Sequence, residues 1–246
     1  MDLSGKTAVV TGAAGTMGLA VVRALLEDGA QVALVDIDAM RLDSLTRFLR
    51  GTVVSIPCDV SDPAAVRQAH LQVEKTLAPV DILVNNAGVL SNNKSETTNE
   101  DEWRRVMSIN LDGAFHWSRA VLPAMKQRKW GRIVNVTSLA AKTGGLTAGT
   151  AYSTSKGALT SLTFSLAREM AAHGVTVNGI APAYVKTPMV MDELNESQRR
   201  QLLAQIPVGR FCEPEEFAHA VRFLVSPLAG FITGEILDVN GGLHMD

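Results

Sequence analysis

The sequence predicts a single α/β domain, doubly wound in the Rossmann manner, with a parallel sheet of about seven strands. Three observations carry this. Short runs rich in valine and isoleucine alternate with longer amphipathic stretches. The short runs are continuously apolar, as in strands covered on both faces. The first of them enters a glycine-rich turn that leads straight into a helical stretch.

The elements follow in order. Thr7 to Thr11 reads as a first strand, with a helix after the turn extending to about Asp28. Gln31 to Asp36 is a second strand, followed by a helix over Met40 to Leu49. Val53 to Pro57 is a third, and Pro63 opens a helix that runs to Thr76. Asp81 to Asn85 is a fourth strand; the polar loop Ser91 to Thr98 then precedes one long helix from about Glu100 to Arg128. Arg132 to Thr137 is a fifth strand, and Ala151 to His173 another long helix. Val175 to Ile180 and Glu235 to Val239 supply the last strands, with helical stretches between them. No repeat, low-complexity segment or linker divides the 246 residues, so they read as one unit.

Composition excludes several classes of function. With 23 basic and 25 acidic residues the net charge is −2, which lacks the basic footprint of a nucleic-acid binder. No run reaches the about 18 apolar residues of a membrane span, and Met1 to Lys6 has no apolar signal core. The expected setting is cytoplasmic. Cys58 and Cys212 form no metal-binding spacing; a disulfide between them is open, and two buried free thiols are the preferred reading.

The turn reads Thr11-Gly12-Ala13-Ala14-Gly15-Thr16-Met17-Gly18. Small residues let backbone approach a pyrophosphate, and a helix N-terminus offers unpaired N–H groups and the positive end of a dipole. At the end of the second strand stands Asp36, where a carboxylate accepts hydrogen bonds from both adenosine ribose hydroxyls. A 2′-phosphate there meets like charge, and the turn holds no basic residue to receive it. Arg23 and Arg41 are near only in sequence, on predicted helices. NAD(H) is therefore preferred over NADP(H).

Further motifs stand in a fixed order. They are Asn85-Asn86-Ala87-Gly88 after the fourth strand, Asn110 in the long helix, Ser138 after the fifth strand, and Tyr152-Ser153-Thr154-Ser155-Lys156 opening the next helix. Pro182 to Met189 follows the sixth strand, and Gly234-Glu235 to Asn240-Gly241-Gly242 closes the set. Together they resemble the short-chain dehydrogenase/reductase family along essentially the whole chain, nearest to the 3-oxoacyl-acyl carrier protein reductases and related secondary-alcohol dehydrogenases. The resemblance implies that Asn110, Ser138, Tyr152 and Lys156 are catalytic. Tyr152 moves the proton, Ser138 binds the substrate oxygen, Lys156 supports the phenolate and the nicotinamide ribose, and Asn110 holds a water beside Lys156. It also implies that Gly12, Gly15, Thr16, Met17 and Gly18 line the pyrophosphate. Asp36 with Ile37 takes the ribose, and Asp59 and Val60 border the adenine. Asn86, Ala87 and Gly88, with Asn85, line the adenosine side, and Pro182, Val185 and Thr187 approach the carboxamide.

The chemistry agrees with those roles. Tyr152 and Lys156, four apart, share a helix face. A free tyrosine is only about 0.1% ionised at neutral pH. A neighbouring ammonium that lowered its pKa by about three units would make roughly half of it phenolate.

Three departures touch the substrate side. Thr16 stands at the usual middle glycine of the turn, which calls for helical φ at Thr16 and flexibility at Gly15. Ala183 replaces the usual glycine after Pro182. Ser138 to Tyr152 is one residue longer than usual, the extra residue falling in Gly144 to Gly149, a loop expected to overhang the substrate.

The remaining features read more plainly. The five histidines lack ligand spacing, though His244 could touch a neighbouring subunit. Lys126, Arg128, Lys129 and Arg132 cluster at a helix end, and with Arg168 they could hold an acyl carrier protein. Leu194 to Ile206 reads as a mobile helical lid within a substrate region of about 185–210. Small residues such as Ser155, Ala158 and Ser161 suit helix pairing between subunits, and the resemblance implies a homotetramer. The leading reading is reversible NAD(H)-linked interconversion of a small-molecule alcohol and ketone. The alternatives are a 3-oxoacyl-thioester reductase and a dinucleotide-sensing regulator without turnover.

Overall fold

A computed structural model describes residues 1–188, 191 and 195–245. The apolar runs become β1 (Thr7–Thr11), β2 (Gln31–Asp36), β3 (Val53–Pro57), β4 (Ile82–Asn85), β5 (Gly131–Val136), β6 (Val175–Pro182) and β7 (Ile236–Val239). All pair in parallel, in the order β3-β2-β1-β4-β5-β6-β7. The chain winds outward from β1 to β3 on one side and from β4 to β7 on the other. The carboxyl ends of β1 and β4 therefore open a crevice where the winding reverses.

Local chemistry starts the helices. Asp38 accepts a hydrogen bond from Arg41 N to cap α2 (Ala39–Thr46), and Asp62 accepts one from Ala64 N, with Pro63 next, to open α3 (Pro63–Thr76). By contrast α1 (Thr16–Glu27) begins at Gly15 with no side-chain cap and no acidic residue in its first turn. Its first N–H groups stay open at the crevice.

The long helix expected over residues 100–128 is three pieces: α4 (Glu100–Met107), a π-helical turn (Ser108–Asp112) and α5 (Gly113–Arg128). The reason is close packing. A Cβ at Gly113 would lie 2.8 Å from Val60 Cγ2, and the wider turn rotates Asn110 inward. Residues 140–143 form a four-residue helix, α6, too short to leave a periodic signal. Next come α7 (Thr150–Met170), α8 (Glu196–Gln205) and α9 (Pro214–Val225), the last opened by a reciprocal Glu213–Glu216 cap. The expected lid helix is met by α8, whereas its first residue, Leu194, and the nearby Met189 lie outside the described residues.

Apolar side chains cover both sheet faces. Val21 and Leu25 of α1 meet Phe217 and Val221 of α9 over one face. Val73 of α3, Trp117 of α5 and Met170 of α7 cover the other. A third, small cluster of Leu202, Ile206 and Phe211 packs with Tyr184 and Leu243 above the crevice.

Two surface expectations change. Arg132 is buried and donates to Ser226 O (3.2 Å) and Pro227 O (3.3 Å), so it leaves the exposed basic cluster. Ser155 is also buried, donating to Tyr152 O (2.7 Å) and accepting from Asn110 Nδ2 (3.0 Å), which removes it from any subunit-facing surface. Both cysteines are free thiols, Cys58 buried and Cys212 half-buried. Among the described residues no helix is long and apolar enough to cross a membrane.

Candidate active site

The crevice is built from the glycine turn outward. Gly12 has φ +64°, and a Cβ there would lie 2.8 Å from Ala87 Cα. At Gly18 a Cβ would fall 2.3 Å from Gly12 O and 2.9 Å from Ala13 Cα. Thr16 is the first residue of α1, as its branched side chain requires. Gly15, however, sits at φ −74°, ψ 160°, open to any residue, so the left-handed freedom is used at Gly12 instead.

Asn86 and Thr11 fasten this turn to β4. Asn86 Nδ2 donates to Thr11 O (2.9 Å) and Gly12 O (3.1 Å), and Thr11 Oγ1 accepts from the amides of Asn86 and Ala87 (both 3.0 Å). Asn85 points the other way. Its Nδ2 donates to Asn135 Oδ1 (2.8 Å) and Ser118 Oγ (3.3 Å) inside the sheet, so it does not line the cleft as expected. Alternation along β4 decides which asparagine faces which side.

Asp36 accepts from Ala14 N (3.0 Å) and Asp38 N (3.1 Å), which fixes a carboxylate beside the turn. The next side chain, Ile37, is exposed, and Asp59 Oδ1 accepts from Ser61 N (2.9 Å) at the end of β3. Val60 is buried against Gly113. An uncapped helix end, a cradle that a Cβ would fill and a fixed carboxylate one strand away together fit a dinucleotide.

A cleft of about 280 Å³ continues from this cradle. Met17, Asn86, Gly88, Ser138, Tyr152, Lys156, Pro182, Val185 and Thr187 all line it. Ser138, after β5, accepts from Ala140 N (3.1 Å) and hydrogen-bonds Tyr152 near the start of α7. Lys156 lies one turn further, buried, its Nζ 5.8 Å from the Tyr152 ring centroid and donating to Val136 O (2.7 Å). Burial lowers Lys156 to about 8. It raises the Tyr152 phenol above its ordinary value, while the Ser138 hydrogen bond pulls the other way. The expected downward shift of Tyr152 is therefore reversed in this environment, because the ammonium is turned to a backbone carbonyl and desolvation dominates.

Asn110 is held rigidly. Its Oδ1 accepts from Val89 N (2.8 Å), and its Nδ2 donates to Val89 O (3.0 Å) as well as to Ser155. It makes no direct bond to Lys156. The two groups meet across Gly88, where a Cβ would lie 3.2 Å from Asn110 Oδ1 and 3.4 Å from Lys156 Nζ.

A family model described as enoyl-(acyl carrier protein) reductase matches residues 12–244. The chain belongs to the short-chain dehydrogenase/reductase family. It is thus an oxidoreductase of a family that uses a nicotinamide dinucleotide. The chain is 40% identical over 246 residues to the 3-oxoacyl-[acyl-carrier-protein] reductase FabG of Vibrio cholerae, with all of both chains covered. The Escherichia coli K12 protein of the same name is 37% identical, again over the full length of both. Among solved structures, gox2181 superimposes with a TM-score of 0.95 at 33% identity, covering 98% of this chain and 96% of that one. A 3-oxoacyl-[acyl-carrier protein] reductase from Brucella melitensis gives 0.92 at 33% identity, covering 99% and 92%.

The outer cleft wall was less legible. Leu146, Thr147 and Ala148 do line it, in agreement with the longer loop, but Leu90, Leu139, Gln205 and Leu243 join them from four separate segments with no shared motif. Gly18→Ala forces α1 off the turn. Dinucleotide affinity, read by titration, is expected to drop about tenfold or more. Unchanged affinity would show that this turn does not hold the cofactor.

Proposed function

We propose that the protein is an NAD(H)-dependent ketoreductase with Tyr152 as its acid/base, and that its substrate is a 3-oxoacyl thioester. The observation that carries this is the convergence of Ser138, Tyr152 and Lys156 on one cleft that opens from the dinucleotide cradle. The names of the full-length relatives and the largely apolar outer wall support the acyl substrate.

When bound, the nicotinamide supplies the hydride in reduction and accepts it in oxidation. The protein's own groups do the rest. In reduction, the Ser138 and Tyr152 hydroxyls donate to the substrate carbonyl oxygen and stabilise the charge that grows on it. Tyr152 then gives up its phenolic proton to that oxygen, and the phenolate left behind is stabilised by Lys156, which is mostly charged at neutral pH given its value of about 8. Asn110 keeps the π-helical turn and Val89 in place beside Lys156, the position from which a water would link that lysine to solvent. Gly12, Gly15, Thr16, Met17 and Gly18 bind the pyrophosphate, Asp36 and Ile37 the ribose, and Asp59 and Val60 border the adenine. Asn86, Ala87 and Gly88 form the cradle's floor, while Pro182, Val185 and Thr187 face the carboxamide.

NAD(H) is favoured because Asp36 already accepts two backbone bonds as a carboxylate, and a 2′-phosphate would face it directly. The segment around 185–210 acts as the lid, through α8 and its small apolar cluster. Lys126, Lys129 and Arg168 remain exposed to meet an acidic carrier protein, and the working unit is a homotetramer.

Reduction of a 3-oxoacyl thioester and of a small free ketone, each with NADH and with NADPH, tests this reading directly. The thioester with NADH is expected to be fastest. Asp36→Ala is expected to lower the NADH-over-NADPH preference by about tenfold or more, since bonds to a charged group contribute about 1.5–3 kcal/mol each; wild-type preference for NADPH would overturn the cofactor assignment. Tyr152→Phe is expected to cut kcat by about 10³-fold with NADH binding intact. Unchanged activity would point to a different proton donor.

The raised phenol sets the sign of the pH dependence. Reduction needs the protonated form, which a raised value preserves across neutral pH. Oxidation needs the phenolate, so kcat/KM for the alcohol is expected to keep climbing as pH rises through the alkaline range, without levelling off below the ordinary phenol value of 10. A plateau already reached near pH 7 would contradict it.

A further inference from the structure

The loop over the cleft, residues 144–149, has little apolar anchorage of its own. Leu146 is largely exposed on the cleft side, and Gly144 and Gly145 both take left-handed φ, +76° and +80°. Ser153 Oγ donates to Gly144 O (3.2 Å), and Thr147 Oγ1 lies 3.3 Å from Tyr184 OH, but the broadest support of the loop is the polar segment after β4. Gly149 N donates to Ser91 O (2.7 Å) and Thr150 N to Asn93 O (3.0 Å). A Cβ at Gly149 would lie 2.3 Å from Asn93 O, so the two backbones lie directly on each other. Lys94 completes the contact: its ammonium donates to Ala148 O (2.7 Å) and Gly145 O (3.1 Å), bridging the two ends of the segment that carries Leu146 and Thr147. The segment that carries the lysine is held from α4, where Glu102 accepts hydrogen bonds from Ser91 Oγ and from Asn93 Nδ2 (2.7 Å). Those two bonds hold the Glu102 carboxyl below its ordinary value, Ser91 contributing most.

We propose that Lys94 is a specificity-determining residue that fixes loop 144–149 as the outer wall of the substrate cleft. It acts through Leu146 and Thr147 and touches neither the reacting atoms nor the cofactor cradle. The effect on substrates rests on the ketoreductase reading, whereas the clamp itself does not. Two carbonyls pointing at one ammonium need a donor that can serve both at once. Without it they turn to water, and the two left-handed glycines let the segment swing, because Leu146 is largely exposed and only Ala148 and the long Thr147–Tyr184 contact restrain it. Substrates long enough to press on the wall then lose their fit, whereas small ketones that reach only Ser138 and Tyr152 do not.

The test uses purified full-length enzyme with Lys94→Met and Lys94→Arg. Amide hydrogen exchange is expected to quicken at 144–150 in Lys94→Met but not along the rest of α7, and to return towards wild type in Lys94→Arg, whose fork can serve both carbonyls. KM for a long-chain 3-oxoacyl thioester is expected to rise about tenfold in Lys94→Met, with kcat and KM for a small ketone and NADH affinity within about twofold of wild type. Unchanged exchange at 144–150 would overturn the clamp. Quickened exchange with equal losses on both substrates, or with none, would overturn the role in specificity. If wild type reduces neither substrate, the ketoreductase reading fails, and the exchange result still decides whether Lys94 holds the loop.

Discussion

The structure depends most on how closely the ends of β1 and β4 approach. Thr11 and Asn86 bind the two strand ends through side chain and backbone, and Gly12 and Gly18 leave room for no added carbon between them. This is the point where the sheet reverses its winding order, so no helix can cover it from either side. The crevice that remains places the open end of α1 against a carboxylate from β2 on one side and the hydroxyls of Ser138 and Tyr152 on the other. Loosening that junction would separate the glycine-lined cradle from Ser138, Tyr152 and Lys156 even if every one of those side chains stayed intact.

Lys156 and Tyr152 show how burial and polarity are balanced. Among the described residues no carboxylate pairs with buried Lys156, which donates to the Val136 carbonyl, and desolvation lowers it to about 8. Tyr152 is raised by the same desolvation, against the pull of Ser138. Desolvation thus favours the protonated phenol at Tyr152 and the neutral amine at Lys156, and only the first of these suits a group waiting to donate a proton. The π-helical turn at Asn110 belongs to the same design: an extra residue in the helix lets one asparagine satisfy both backbone groups of Val89 and reach Ser155 under the catalytic helix.

The substrate side is built differently. The cradle rests on strands and helix ends, whereas the outer wall comes from a glycine-containing loop, α8 and the C-terminal segment. Polar contacts hold the loop, with Lys94 as the joint between the segment after β4 and the loop before α7, while the Leu202, Ile206 and Phe211 cluster packs α8 with Leu243. Such a wall can change its residues without disturbing the chemistry beneath. A relative named as a 3-oxoacyl-[acyl-carrier protein] reductase keeps the same architecture at 33% identity.

The family resemblance singled out Ser138, Tyr152 and Lys156 as a set; sequence alone determined the element order, the parallel sheet, the glycine turn, the acidic strand end and the four-residue spacing of Tyr152 and Lys156. These are local patterns: apolar periodicity, glycine spacing and side chains four apart on a helix. It did not reveal the break at Asn110, because a π-helical turn leaves the same periodicity as an α-helix with one extra residue. Nor did it show that Asn86 rather than Asn85 faces the crevice, that Arg132 and Ser155 turn inward, or that Gly12 and not Gly15 takes the left-handed conformation. Each of those follows from which side a neighbouring element occupies. The direction of the Tyr152 shift was also a tertiary outcome, since spacing places an ammonium near the phenol but only the packed cleft decides how much water both have lost. Lys94 is the clearest case: 51 residues separate it from Gly145, and only the folded loops bring its ammonium to that carbonyl.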